Sequence, residues 1–128
     1  MINELNISKF ITWDERYIPD NEVSKYFSAA DVVALPYRSA SQSGITQLAY
    51  YYDLPVIVTR IGGLPEFVDD GKSGFIINPE DYNQLTKILY EQITKSKFKK
   101  MSKYVKEYKK NFSWDFFIKG IEKVYSQL

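Results

Sequence analysis

The chain of 128 residues contains no cysteine and no histidine. Without cysteine there is no disulfide and no thiolate metal site. Without histidine the commonest general base and metal ligand are both missing. A Ser-His triad and His-based metal hydrolysis are therefore excluded, and no residue pattern calls for a metal or a cofactor. Charge of one sign is also lacking: 17 Lys and Arg offset 16 Asp and Glu to a net +1. That argues against a nucleic-acid binder held by bulk charge. No apolar run approaches membrane-spanning length, and the first residues lack the basic and apolar regions of a signal peptide. The cytoplasm is the default location. What remains, 45% hydrophobic and 26% charged, is ordinary for one soluble globular domain.

The most informative stretch runs from Ala34 to Ala49. An apolar run, Asp31 to Leu35, stops at Pro36, which cannot donate to a central ladder. Small and polar residues follow from Ser39 to Gly44. Then Ile45, Leu48, Ala49 and Tyr52 recur at helical spacing. The order is strand, loop, helix N-terminus. In an open parallel sheet such a junction lies at the carboxyl end of a strand, where ligands bind. First-turn N–H groups without intrahelical partners, and the positive end of the dipole, suit a phosphate there. Small residues admit close approach, and Ser41 and Ser43 add hydroxyl donors. The same pattern also serves as a plain helix cap.

Along the chain, Ile7 to Trp13 is β-branched and aromatic and reads as a strand, its core Ile7 to Thr12. Pro19-Asp-Asn-Glu22 opens a helix whose stripe is Val23, Tyr26, Phe27 and Ala30. Asp31 to Leu35 and Pro55 to Thr59 are strands with little alternation, as when both faces are buried. Gly62-Gly-Leu-Pro-Glu66 is a second strand-to-helix junction, with paired glycines for tight backbone and Pro65 then Glu66 as a helix start. Asp69 to Gly74 is turn chemistry. Phe75 to Ile77 is a short strand, and a long helix follows with Leu85, Ile88, Leu89 and Ile93 on one face. Helical stretches Lys97 to Lys110 and Trp114 to Leu128 complete the sequence. Strand and helix alternate with connections too long for hairpins. This predicts an α/β fold, a Rossmann-like parallel sheet of four strands with helices on both faces. The loops after Leu35 and Thr59 then share one sheet edge, and the coincidence strengthens the case for a phosphate-bearing ligand.

Several side chains carry two readings each. Arg38 suits a phosphate or a sugar carboxylate, and equally a solvated loop. Glu66 suits a donor contact or simply the helix dipole. Trp13 suits stacking on a nucleobase or a core anchor. Residues 95–110 hold eight lysines against one glutamate, which fits a solvated helix face or an acidic membrane surface.

Taken in order, Phe27-Ser-Ala-Ala-Asp-Val-Val-Ala-Leu-Pro36, Gln42-Ser-Gly44, Ala49, Leu54-Pro-Val-Ile-Val-Thr59, Gly62-Gly-Leu-Pro-Glu66 and Asp70-Gly-Lys-Ser-Gly-Phe75 resemble the family-4 (group 1) retaining glycosyltransferases of GT-B fold. The resemblance covers about residues 7 to 95. It implies that residues 1–128 form one partial domain, the sugar-nucleotide-binding half of a donor domain, with carboxyl-terminal helices from 96 onward. It also implies that Gln42, Ser43, Gly44 and Ile45 present N–H groups to a nucleotide-sugar diphosphate. Gly62 and Gly63 then lie by the donor sugar, with Trp13 and Asp14 near the base. The helix from Trp114 is similar to the tail that crosses back to the acceptor domain. The resemblance implies a parent enzyme of polysaccharide, glycolipid or cell-surface glycan synthesis, the acceptor itself left open, with peripheral contact to a membrane or a lipid-linked acceptor as one alternative. Two departures stand out. The family's two donor-contacting glutamates fall at Ala40 and Leu48, neither a carboxylate; Ser39, Ser41 and Gln47 are the polar residues nearest to hand. The acceptor domain and first strands of such an enzyme have no counterpart before Ile7, so these 128 residues alone are expected to be inactive, and to self-associate through an uncovered sheet edge near Ile7 to Trp13. The rival readings are a non-catalytic GT-B-like interaction module and a UDP-sugar epimerase, the latter disfavoured by the missing histidine.

Overall fold

The computed structural model describes residues 2–127. Three strands, β1 (Val33–Leu35), β2 (Val56–Thr59) and β3 (Gly74–Ile77), form one sheet in the order β1-β2-β3. Both pairs are parallel, with Val33 opposite Val56 and Val56 opposite Gly74. Gly74 is required at that register, since a Cβ there would stand 2.2 Å from the Val56 carbonyl oxygen.

The helices are α1 (Asp20–Ala29), α2 (Gly44–Tyr51), α3 (Tyr82–Thr94), α4 (Lys97–Tyr108) and α5 (Trp114–Tyr125). Their starts follow sequence chemistry. Pro19 and the acidic Asp20 and Glu22 open α1. Ser43 and Asp81 cap α2 and α3, accepting from the Ile45 and Gln84 amides at 3.3 and 2.8 Å. The expected last helix ends at Tyr125; Leu128, like Met1, lies outside the described residues.

Alternation along β2 divides the core. Val56 and Val58 pack with Ala49 and Tyr50 of α2 and Val105 of α4. Ile57 packs on the other face with Ile77, Phe98 and Met101, against Leu85, Ile88 and Leu89 of α3. Burial on both faces explains why β2 shows no polar alternation. In α4 the buried Phe98, Met101 and Val105 recur at helical spacing, and the lysines between them face outward.

Tyr50 ties the layers together. Its hydroxyl donates to the Phe67 carbonyl at 2.8 Å and lies 2.9 Å from Ser73 Oγ, which accepts from the Asp69 amide at 2.9 Å.

Two expectations need correction. Ile7 to Trp13 is not a strand: Ser8–Phe10 forms a 3-10 turn, and the segment beyond it joins no ladder among the described residues. Phe10 and Trp13 are 77% and 71% exposed. Branched and aromatic residues favour a strand only through cross-strand packing, and here no neighbour supplies it. The sheet therefore has three strands rather than four. The helix expected at Pro65 and Glu66 is a single 3-10 turn, Leu64–Phe67, because Val68 is already extended and the Asp69 turn follows. Among the described residues no helix is long and apolar enough to cross a membrane.

Candidate functional site

Because β1 and β2 are parallel neighbours, their carboxyl ends deliver the loops at 36–43 and 60–63 to one edge. Pro36 ends β1, and the Tyr37 amide turns back onto the Leu35 carbonyl at 2.8 Å. The loops are then joined twice. Thr59 Oγ1 donates to the Tyr37 carbonyl at 2.7 Å, and the Gly63 amide donates to the Ser41 carbonyl at 2.7 Å. Gly62 has φ +48°, and a Cβ there would stand 2.1 Å from the Ala40 carbonyl oxygen. Only glycine permits that conformation and that approach together.

A Cβ on Gly63 would meet the Ser41 carbonyl oxygen at 3.1 Å, Gln42 Cγ at 3.4 Å and Glu66 Oε2 at 3.7 Å. Ser41, Gln42, Gly62, Gly63 and Glu66 are thus gathered around one spot. Next to it α2 begins. Its first residue, Gly44, is exposed, and a Cβ there would meet nothing within 4 Å. Ile45 is exposed as well, with its amide held by the Ser43 hydroxyl. The helix N-terminus, with its partial positive charge, therefore opens to solvent beside two close-packed loops. Backbone N–H groups at a helix N-terminus suit an anion in general, and here Glu66, Gln42 and the serine hydroxyls stand around that N-terminus.

Ala40, against Gly62, and Leu48, in α2, are half-buried and bring no carboxylate. Ser39 and Gln47 are exposed. Arg38 is engaged elsewhere: its Nε lies 3.0 Å from Glu80 Oε1, and Tyr82 and Glu80 raise its pKa. Trp13 is on the amino-terminal segment, its indole donating to Glu15. No hydrogen bond or ring contact joins Trp13 to the two loops among the described residues. Its neighbour Asp14 accepts from Tyr26 at 2.6 Å and pairs with Arg16, and these hold its carboxyl below the usual range. Two hydroxyls were not singled out from sequence. Thr59 is buried at the end of an all-apolar strand, and Thr46, fully buried in the first turn of α2, has an Oγ1 without a hydrogen-bond partner. A threonine closing the run Val56-Ile-Val58 was the available signal for the first. The second had none.

Apart from this site, α5 leaves its apolar side open. A groove of about 850 Å3, lined by Phe67, Phe112, Trp114, Phe117 and Ile121 among others, meets α2 only at Gln47.

Comparison with known proteins puts this geometry in a family. The family model described as Glycosyl transferases group 1 matches residues 3–94. The uncharacterised glycosyltransferase MJ1178 of Methanocaldococcus jannaschii is 31% identical over 109 residues, covering 84% of this chain and 31% of that protein. A D-inositol 3-phosphate glycosyltransferase of Corynebacterium jeikeium is 30% identical over 129 residues, covering 100% of this chain and 30% of its own length. The chain thus spans just under a third of these relatives. In fold it is similar to sucrose-phosphate synthase from Thermosynechococcus elongatus (TM-score 0.81, 23% identity, 98% of this chain and 32% of that one). It is similar also to HepE of Anabaena, solved in complex with UDP (TM-score 0.80, 19% identity, 99% of this chain and 35% of that one). Both neighbours are GT-B enzymes, and the α/β architecture described above is part of that fold. With its family model covering well over half of the sequence, the chain belongs to the group 1 glycosyltransferases.

Proposed function

We propose that the junction of the 36–43 and 60–63 loops with α2 holds the diphosphate of a nucleotide-sugar donor. In the whole protein it would serve retaining glycosyl transfer in the synthesis of a glycan or glycolipid. The observation that carries this reading is the Gly63-to-Ser41 bond, which sets the paired glycines against the exposed N-terminus of α2. The Ser43, Gly44 and Ile45 amides face the diphosphate, and Ser41, Gln42 and Glu66 stand at the donor sugar. The bond from the anomeric carbon to the diphosphate oxygen breaks as one forms to an acceptor hydroxyl oxygen, whose proton the leaving diphosphate takes. Fixed N–H groups stabilise the charge that the leaving diphosphate gathers, with no reorganisation cost at that moment. Ser43 Oγ now occupies the Ile45 amide at a long 3.3 Å, so a phosphate oxygen can replace it. Trp13, hydrogen-bonded to Glu15, and Arg38, a residue of the first loop whose guanidinium pairs with Glu80, belong to the donor's outer reach. HepE, solved with UDP, supports a nucleotide in this fold. α5 is then the tail that crosses to an acceptor domain, and its open apolar side is the face that such a domain would cover.

One observation favours a second reading, a non-catalytic binding module: the carboxylates expected at Ala40 and Leu48 are absent. The test is isothermal titration of the chain with UDP, GDP and ADP against their monophosphates. The donor reading predicts at least about tenfold preference for one diphosphate, worth ~1.4 kcal/mol. Equal affinity for the di- and monophosphate of every base would defeat it. Turnover by the whole protein separates the second reading, which predicts none.

A further inference from the structure

Thr59 is 1% exposed and closes β2. Where β1 has already ended at Pro36, its hydroxyl continues the pairing by side chain, donating to the Tyr37 carbonyl at 2.7 Å. The Gly63 amide repeats the join four residues along, at the Ser41 carbonyl. Between these two anchors the chain has no helix or strand, so the anchors, together with the packing of Tyr37 and Ala40 on the core and the exposed Arg38–Glu80 pair, decide how residues 37–41 enter the Ser43 cap. The second anchor is backbone, and its approach is fixed by the glycine at 62. The first rests on a single hydroxyl. We propose that Thr59 is a positioning residue for the diphosphate, acting through Tyr37 on the loop that aims the first turn of α2. This rests on the donor reading above but goes beyond it, because Thr59 itself is buried and does not face the ligand.

The consequence is selective. Losing the hydroxyl leaves the Tyr37 carbonyl unpaired and the loop free to shift, while the nucleoside end of the donor is untouched. Thr59→Val keeps the shape and removes the donor; Thr59→Ser keeps the donor. Titrations of UDP with UMP, GDP with GMP and ADP with AMP supply the readout for wild type and both variants. The expected result is a loss of about tenfold in affinity for the preferred diphosphate in Thr59→Val, the scale of one buried hydrogen bond. Its monophosphate should bind within about twofold of wild type, and Thr59→Ser should restore the difference. A Thr59→Val protein with the wild-type ratio of diphosphate to monophosphate affinity overturns the proposal. So does an equal loss of both, which marks a merely structural role. If Thr59→Val does not fold, Thr59→Cys compared with Thr59→Ser swaps a weak donor for a strong one in similar space, with an intermediate selective loss expected and an unchanged ratio contradicting. A wild type that prefers no diphosphate brings down the donor reading first and this inference with it; a wild type that does, with an indifferent Thr59→Val, brings down this inference alone.

Discussion

At Gly62 the backbone turns with φ +48° and a Cβ would stand 2.1 Å from the Ala40 carbonyl oxygen, whereas a Cβ on Gly44 meets nothing within 4 Å. The two glycines therefore answer substitution differently. Gly62→Ala has to move backbone, in a conformation that L residues rarely hold, and should destabilise by ~2 kcal/mol or more. Denaturant unfolding checks this, and an unchanged midpoint would show that the loops do not pack as described. From sequence, the paired glycines are visible as a tight turn, but the carbonyl that needs the space at Gly62 belongs to Ala40, far off along the chain. Thr59 was equally hidden: an all-apolar strand predicts burial of its last residue, not the carbonyl that its hydroxyl meets.

Among the elements, α2 is the one that both fold and site depend on. Tyr50 holds it to the turn before β3 through the Phe67 carbonyl and Ser73. Burial pushes the Tyr50 hydroxyl well above the ordinary tyrosine range. In the unfolded chain it ionises near about pH 10. Its contribution is then complete below that pH and declines as pH rises further, because only the unfolded state releases the proton. Tyr50→Phe should cost ~1–3 kcal/mol at neutral pH through the partners left unpaired, and should shrink the alkaline loss. Equal unfolding midpoints for the two proteins, at neutral and alkaline pH alike, would contradict this.

The turn carries the opposite sign at Asp69, whose carboxyl the Tyr104 hydroxyl bond, and then Lys72, hold below its usual value. That stabilisation is complete above the ordinary aspartate range, near about pH 4, and is lost as pH falls through the lowered folded value. Tyr104→Phe should flatten the acid limb of thermal unfolding measured against pH; parallel acid limbs would remove Tyr104 from the account. Strands and helices with strong periodicity, β2 and α4 above all, were legible because burial imposes their pattern. Ile7 to Trp13 was misread because strand composition says nothing about whether a neighbour is present.

For the whole molecule, the parallel sheet brings both loops to one edge, and everything proposed for the site follows from that placement. The order of strands and helices was readable from connection lengths, and the shared edge followed from it. Which backbone groups touch across the edge was not, since those contacts depend on three-dimensional approach and not on local preference. The claim that the edge is a diphosphate site is tested most directly by Gly44→Val, because a Cβ there meets nothing within 4 Å while the branched side chain adds bulk at the helix N-terminus. With the thermal midpoint measured alongside, titration of the chain with the preferred nucleoside diphosphate should show binding reduced by about a hundredfold or more, ~2.7 kcal/mol, and the midpoint unchanged within a few degrees. Wild-type affinity in a folded Gly44→Val protein would mean that α2 begins with a plain cap, and that the diphosphate, if one binds, is held elsewhere.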